Sequence, residues 1–152
     1  MSNSFLCFTF FFGTIFYSNA LHCPNEWQQF FNESACVRLL KTPQTFYNLA
    51  NSCASLESSH PVRIKNVTAN TFLKGLIVSE LNDVEPFISI WKKVGNDWTY
   101  FDGKPLEYEC WAQGEPISSL NHDICAVMNS KGEWKTSDCT TPKPYFCAFE
   151  IK

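Results

Sequence analysis

Glu115, His122 and Asp123 are the residues of this chain whose types and spacing invite a chemical reading. A histidine beside an aspartate, with Ser118 and Ser119 just upstream, has the composition of a hydrolytic trio. Such chemistry needs a serine on a sharp strand-to-helix turn and donors for an oxyanion, and no such turn is legible around these serines. Glu115 and Asp123 also supply two carboxylates, the pair on which glycoside hydrolysis is built. The cysteines offer a third chemistry. After Cys7 come Cys23, Cys36, Cys53, Cys110, Cys125, Cys139 and Cys147, and none forms the C-x-x-C pair of a zinc ribbon or a thiol redox site. Disulfides therefore account for them better than metal does. Cys7 falls in the apolar leader read below as a signal peptide, so seven of the eight remain, an odd number from which three bridges leave one thiol over, and spacing alone does not choose the pairing.

The elements that position these residues follow from periodicity. Pro43, Phe46, Leu49, Ala50, Cys53 and Leu56 recur at helical spacing, which predicts a helix over 43–56 with proline in its first turn. Val62-Arg63-Ile64 alternates like a short strand. Thr68 precedes Phe72, Leu73, Leu76, Ile77 and Leu81, which predicts a second amphipathic helix ending near Asn82. Short β-type runs follow at Phe87–Trp91, Trp98–Phe101, Ile124–Met128 and Tyr145–Phe149, separated by Gly, Pro, Asn and Ser. Helices early and strands late give an α+β class. Between Trp111 and Ile124 neither period holds, so this stretch is predicted to be a long loop, a place where binding residues concentrate.

Composition narrows the partners. Of 152 residues, 45% are hydrophobic and 18% charged, with a formal net charge of -3, so a packed core is available. Lys and Arg are scattered, which leaves no basic stripe for nucleic acid. Residues 1–20 read as a secretory signal peptide, with an uncleaved signal anchor as the alternative: an uncharged apolar run from Phe5 to Phe16, too short to span a bilayer, then small residues at Ser18-Asn19-Ala20. Residues 21–152 then form one domain, secreted and without a membrane span. Secretion suits disulfides. It also suits two N-glycosylation acceptors, Asn32-Glu33-Ser34 and Asn66-Val67-Thr68.

Over nearly all of residues 21–150 the sequence resembles the C-type lectin-like domain in its long form. Cys23-Pro24, Trp27 and Cys36 resemble the family's opening hairpin, and Phe46 to Cys53 its first helix. His60-Pro61-Val62-Arg63-Ile64 is similar to the strand after it, and Asn70-Thr71-Phe72-Leu73 to the start of the second helix. Phe87-Ile88-Ser89-Ile90 stands where the family has WIGL. Trp98 to Gly103, Tyr108 to Trp111, Gly114-Glu115-Pro116, Cys125, Gly132-Glu133-Trp134, Cys139 and Phe146-Cys147 follow in family order. The resemblance implies two helices with two small antiparallel sheets and a long loop region. It implies bridges Cys23–Cys36, Cys53–Cys147 and Cys125–Cys139, leaving Cys110 as a buried thiol or the link of a disulfide-bonded dimer. It also places Trp27, Trp98, Trp111, Trp134 and His60 at packing positions.

In calcium-dependent members an EPN or QPD motif, an acid two places before the next cysteine, and a WND triplet hold Ca²⁺ and two sugar hydroxyls, an arrangement that requires many oxygen ligands. The resemblance puts Glu115 and Asp123 at ligand positions, but Ile117 replaces the motif's third residue, and Lys135 and Thr136 stand where Asn and Asp belong. Ser118 and Ile124 lack the carboxylates of a neighbouring auxiliary site. No metal or other cofactor is therefore expected. Lys135 is either a tethered cation between Glu115 and Asp123, relieving their repulsion, or one of three separate solvated side chains. The resemblance also assigns the two carboxylates a metal-ligand ancestry rather than a hydrolytic role, so no enzymatic activity is expected. The implied function is glycan or glycoprotein binding with a degraded calcium site formed by Glu115, Ile117, Ser118, Asp123, Lys135 and Thr136. The alternative is a protein-binding module with Ile117 as an apolar anchor.

Overall fold

In the computed structural model, which describes residues 22–30, 34–117 and 121–151, the chain closes on itself. Strand β1 (Gln28–Phe30) pairs with β2 (Ala35–Gln44), and β2 runs antiparallel to the last strand, β8 (Lys143–Glu150), from Ala35↔Glu150 to Leu40↔Tyr145. The short β3 (His60–Pro61) lies on the other side of β8. A second antiparallel group contains β4 (Phe87–Lys92), β5 (Trp98–Tyr100), β6 (Ile124–Met128) and β7 (Trp134–Asp138). One parallel pairing, Phe87↔Tyr145, joins the two small antiparallel groups into a connected sheet. The two expected sheets thus share an edge.

Both faces of the central strands are covered, which explains why β4, β6 and β8 read as runs of Ile, Val, Phe and Ala rather than as alternating patterns. Helix α2 (Val67–Glu80) packs Leu73, Leu76 and Ile77 into a core with Ile88, Ile90, Tyr100, Met128, Trp134 and Phe146. Helix α1 (Leu49–Ala54) sits in a second cluster with Phe46, Phe87, Tyr145 and the Cys53–Cys147 and Cys125–Cys139 bridges. All three expected disulfides form, with Cα separations of 5.6, 5.5 and 5.2 Å, inside the usual range.

Several boundaries differ from the sequence reading. The first helix does not begin at Pro43, because Thr42 to Gln44 complete β2 across a break in its register with β8. Proline's fixed φ suits such an irregularity as well as it suits a first helical turn. A 3-10 turn at Phe46–Asn48 then leads into α1. Thr68 is not the cap of α2. Asn66 is, its side-chain oxygen accepting from the Ala69 N–H at 2.8 Å. Strand β3 is His60–Pro61, whereas Val62 and Ile64 are buried in extended chain beyond it. His60 is exposed rather than a packing residue. Trp27 and Trp134 are buried as expected, while Trp98 and Trp111 pack against the core with their rings 4.7 Å apart.

Ser89 stands at the position where the resemblance places glycine, and the backbone explains that preference. Its φ is +61, in the left-handed region, and its buried hydroxyl has no hydrogen-bond partner. An L-residue there costs about 1–2 kcal/mol and an orphaned buried hydroxyl about 1–3 kcal/mol more. Glycine's greater loss of chain entropy takes back about 0.5–1 kcal/mol. Ser89→Gly is therefore expected to stabilise the domain by about 1 kcal/mol or more, raising the melting temperature by about 4 °C. An unchanged or lower melting temperature in a thermal melt contradicts that assignment of strain.

Candidate functional site

Strand β7 holds the long loop in place. Trp111 bridges to Trp134, the Ala112 N–H donates to the Trp134 carbonyl at 2.9 Å, and the Trp134 N–H donates to the Cys110 carbonyl at 2.7 Å. Beneath that anchor, buried Asn70 of α2 donates to the Gly132 carbonyl at 2.9 Å and accepts from the Trp134 indole at 2.8 Å. Gly132 has a φ of +83, and a Cβ there would lie 3.3 Å from the Asn70 amide nitrogen, so the close approach of helix and hairpin depends on glycine. Asn70 matters to the loop's placement, and the sequence reading had given it no role beyond the start of a helix. Its signal is subtle: a polar residue at a helical position that the spacing of Leu73, Leu76 and Ile77 assigns to the buried face.

Gly114, with a φ of +83, turns the chain into Glu115. One carboxylate oxygen of Glu115 accepts three protein donors: the Ile117 N–H at 3.2 Å, the Thr136 N–H at 3.1 Å, and the Thr136 hydroxyl in a short contact. The Thr136 hydroxyl oxygen in turn accepts from the Ile117 N–H at 3.0 Å. Glu115, Ile117 and Thr136 thus form one closed hydrogen-bonded unit. Asp123 is not part of it. Its carboxylate accepts from the Val94 N–H at 3.1 Å and from the Tyr47 hydroxyl, whose ionisation is raised by partial burial first and then by Asp123 and Asp138.

Lys135 does not lie between Glu115 and Asp123. Its ammonium pairs with Glu85 at 2.8 Å. Strand geometry explains this, because consecutive residues of β7 face opposite ways and Thr136 takes the side toward Glu115. Ser118 lies outside the described residues, as do Asn32 and the apolar segment 1–20. Ile117 projects its side chain at 48% exposure. One oxygen of Glu115, Oε2, is engaged by protein N–H and O–H groups, and the side chains of Ile117 and Lys135 offer no oxygen to a hard cation.

Two further groups of the sequence reading are resolved by their neighbours. His122 lies near Asp138, which the Thr140 hydroxyl and N–H, both at 2.6 Å, hold below the ordinary carboxylate value. Cys110 is half-buried against the larger core and carries no disulfide. Burial, and after it the hydrogen bond with the Cys110 thiol, pushes the Tyr108 hydroxyl up to about 12.

A disulfide-braced α+β domain with an irregular loop anchored on its second antiparallel group is a fold of recognisable class. The family model of the lectin C-type domain matches residues 42–149, and the chain belongs to that family. "C-type lectin 1" of Hydrophis hardwickii is 26% identical over 139 residues, covering 86% of this chain and 81% of its own. "C-type lectin lectoxin-Phi1" of Philodryas olfersii is 24% identical, covering 84% of each. Among solved structures, human lithostathine superposes with a TM-score of 0.75 at 24% identity, over 86% of this chain and 92% of its own. A calcium-independent type II antifreeze protein superposes with a TM-score of 0.72 at 21% identity, over 90% of this chain and 100% of its own.

Proposed function

We propose that the chain is a secreted binding protein that engages extracellular glycans or glycoproteins without calcium. The observation that carries this reading is one carboxylate oxygen of Glu115, Oε2, which accepts hydrogen bonds from the Thr136 N–H and hydroxyl and from the Ile117 N–H. Glycan binding rests on family membership and on relatives named as lectins. The calcium-independent antifreeze protein supports the compatibility of this fold with the absence of calcium. Three disulfides favour an oxidising compartment, in agreement with the apolar leader of the sequence. Asn66 is exposed at the head of α2, and its cap uses Oδ1 while an N-linked glycan is carried on Nδ2, so capping and modification are compatible.

A protein ligand is the second reading, favoured by one feature: Ile117 is a large apolar side chain exposed on the loop beside a satisfied polar unit. A glycan array probed with the secreted chain, with and without EDTA, separates the two. The same saccharides are expected to be bound in both conditions. Binding abolished by EDTA would overturn calcium independence, and silence on every glycan would replace the first reading by the second.

A further inference from the structure

Away from the loop, a cleft of about 200 Å³ is lined by Arg63, Lys65, Lys104 and Glu150 together with Phe30 and Val62. Three cations line it against Glu150 and the Asp102 carboxylate paired with Arg63, a local excess of one positive charge, although the chain as a whole carries a net charge of -3. His60 also lines the cleft, exposed at its strand. Lys65 and Lys104 are exposed, whereas Phe30 and Val62 are buried, so the cleft combines accessible positive charge with an apolar base.

Of the cationic groups, the Arg63 guanidinium is held by the fold. Arg63 pairs with Asp102, and its guanidinium lies over the Tyr100 ring, 5.9 Å from the centroid. Tyr100 is itself held by its hydroxyl, which donates to the Ile64 carbonyl at 2.7 Å. A guanidinium has five N–H donors, more than one carboxylate consumes, so Arg63 keeps donors for a ligand. Lys104 is carried on a tight turn in which the Tyr100 N–H donates to the Lys104 carbonyl at 2.9 Å and the Gly103 N–H to the Tyr100 carbonyl at 2.9 Å. Backbone order on that turn and a held guanidinium reduce the entropy that a ligand must remove on binding.

The chemistry of the occupant follows. A neutral ligand would desolvate these cations and return little, whereas a negative group gains charge-assisted hydrogen bonds from them. The volume is below the roughly 300–1,000 Å³ of pockets that enclose a drug-sized ligand, so a single acidic residue fits better than a whole oligosaccharide. Resting on the glycan-binding reading above, we propose that this cleft, and not the loop, binds an acidic sugar residue of an extracellular glycan, recognising a sulfate ester or a carboxylate.

The test uses the secreted full domain and two matched pairs of oligosaccharides: a sulfated fragment with its desulfated counterpart, and a sialylated chain with its asialo form. At least one acidic member is expected to bind at least tenfold more tightly than its partner. That preference identifies sulfate or carboxylate as the group, weakens as NaCl rises, and is indifferent to EDTA. Lys65→Glu combined with Lys104→Glu, both on exposed side chains, is expected to remove the preference at least tenfold with an unchanged melting temperature. Equal binding of acidic and acid-free members, or full retention by the double variant, would overturn the cleft assignment. Neutral glycans bound equally by both proteins would leave glycan binding standing without the cleft. No glycan bound at all would contradict both.

Discussion

Replacing Cys53 and Cys147 together by alanine is expected to destabilise the domain by about 4–5 kcal/mol. The bridge spans a sequence separation of 94, ties α1 to β8, and both cysteines are fully buried. Without it the unfolded chain regains the loop entropy that the bridge removes. A domain of this size has only about 5–15 kcal/mol to lose, so the variant should be marginal at 37 °C. Denaturant unfolding against the parent reads the difference directly. The Cys23–Cys36 bridge closes a separation of only 13 and should matter less, at about 3 kcal/mol. A loss below about 1 kcal/mol for Cys53 and Cys147 would mean that β2–β8 pairing survives in the unfolded ensemble and already closes the chain.

Asn70→Ala should cost about 2–4 kcal/mol, far more than an ordinary polar truncation on a helix. Asn70 is 6% exposed and makes two hydrogen bonds, one in each direction, to Gly132 and to the Trp134 indole. Truncation leaves a buried N–H and a buried carbonyl unpartnered, each at about 1–3 kcal/mol, with partial relaxation. By comparison, Asn66→Ala removes a cap worth about 1 kcal/mol. Because Trp134 carries the backbone contacts that anchor the loop at Trp111 and Ala112, the order of the loop should fall together with stability. Unfolding curves followed by tryptophan fluorescence measure the first effect. A cost no larger than that of Asn66→Ala would show that the two buried bonds contribute nothing beyond a cap.

The framework was legible because several independent signals coincide on it. The cysteines, the helical spacing of Leu73, Leu76 and Ile77, and the apolar runs at Phe87 and Ile124 all describe burial, which composition records. Pro43 misled because one fixed φ serves both a helix start and a broken strand edge, and only the pairing of Gln44 with Lys143 decides between them. The site was harder to read for a different reason. Glu115, Asp123 and Lys135 are brought near the same end of the fold by the family pattern, but a carboxylate bonds to whichever donors its own rotamer meets. Thr136 and Ile117 reached Glu115 first in space, and Val94 and Tyr47 hold Asp123. Alternation along β7 was the available clue: with Trp134 buried and Thr136 turned to Glu115, Lys135 had to face away, where it meets Glu85. Ser89 is the converse case. A motif position that prefers glycine carries serine, and only the backbone φ and the orphaned hydroxyl show what that substitution costs.

The proposed calcium independence rests on the hydrogen bonds that Thr136 and Ile117 donate to one carboxylate oxygen of Glu115. Calorimetric titration of the domain with CaCl₂ tests it most directly. The expected result is no heat beyond dilution and a melting temperature that is the same in millimolar calcium and in EDTA. Micromolar calcium binding that disappears in Glu115→Ala would contradict it.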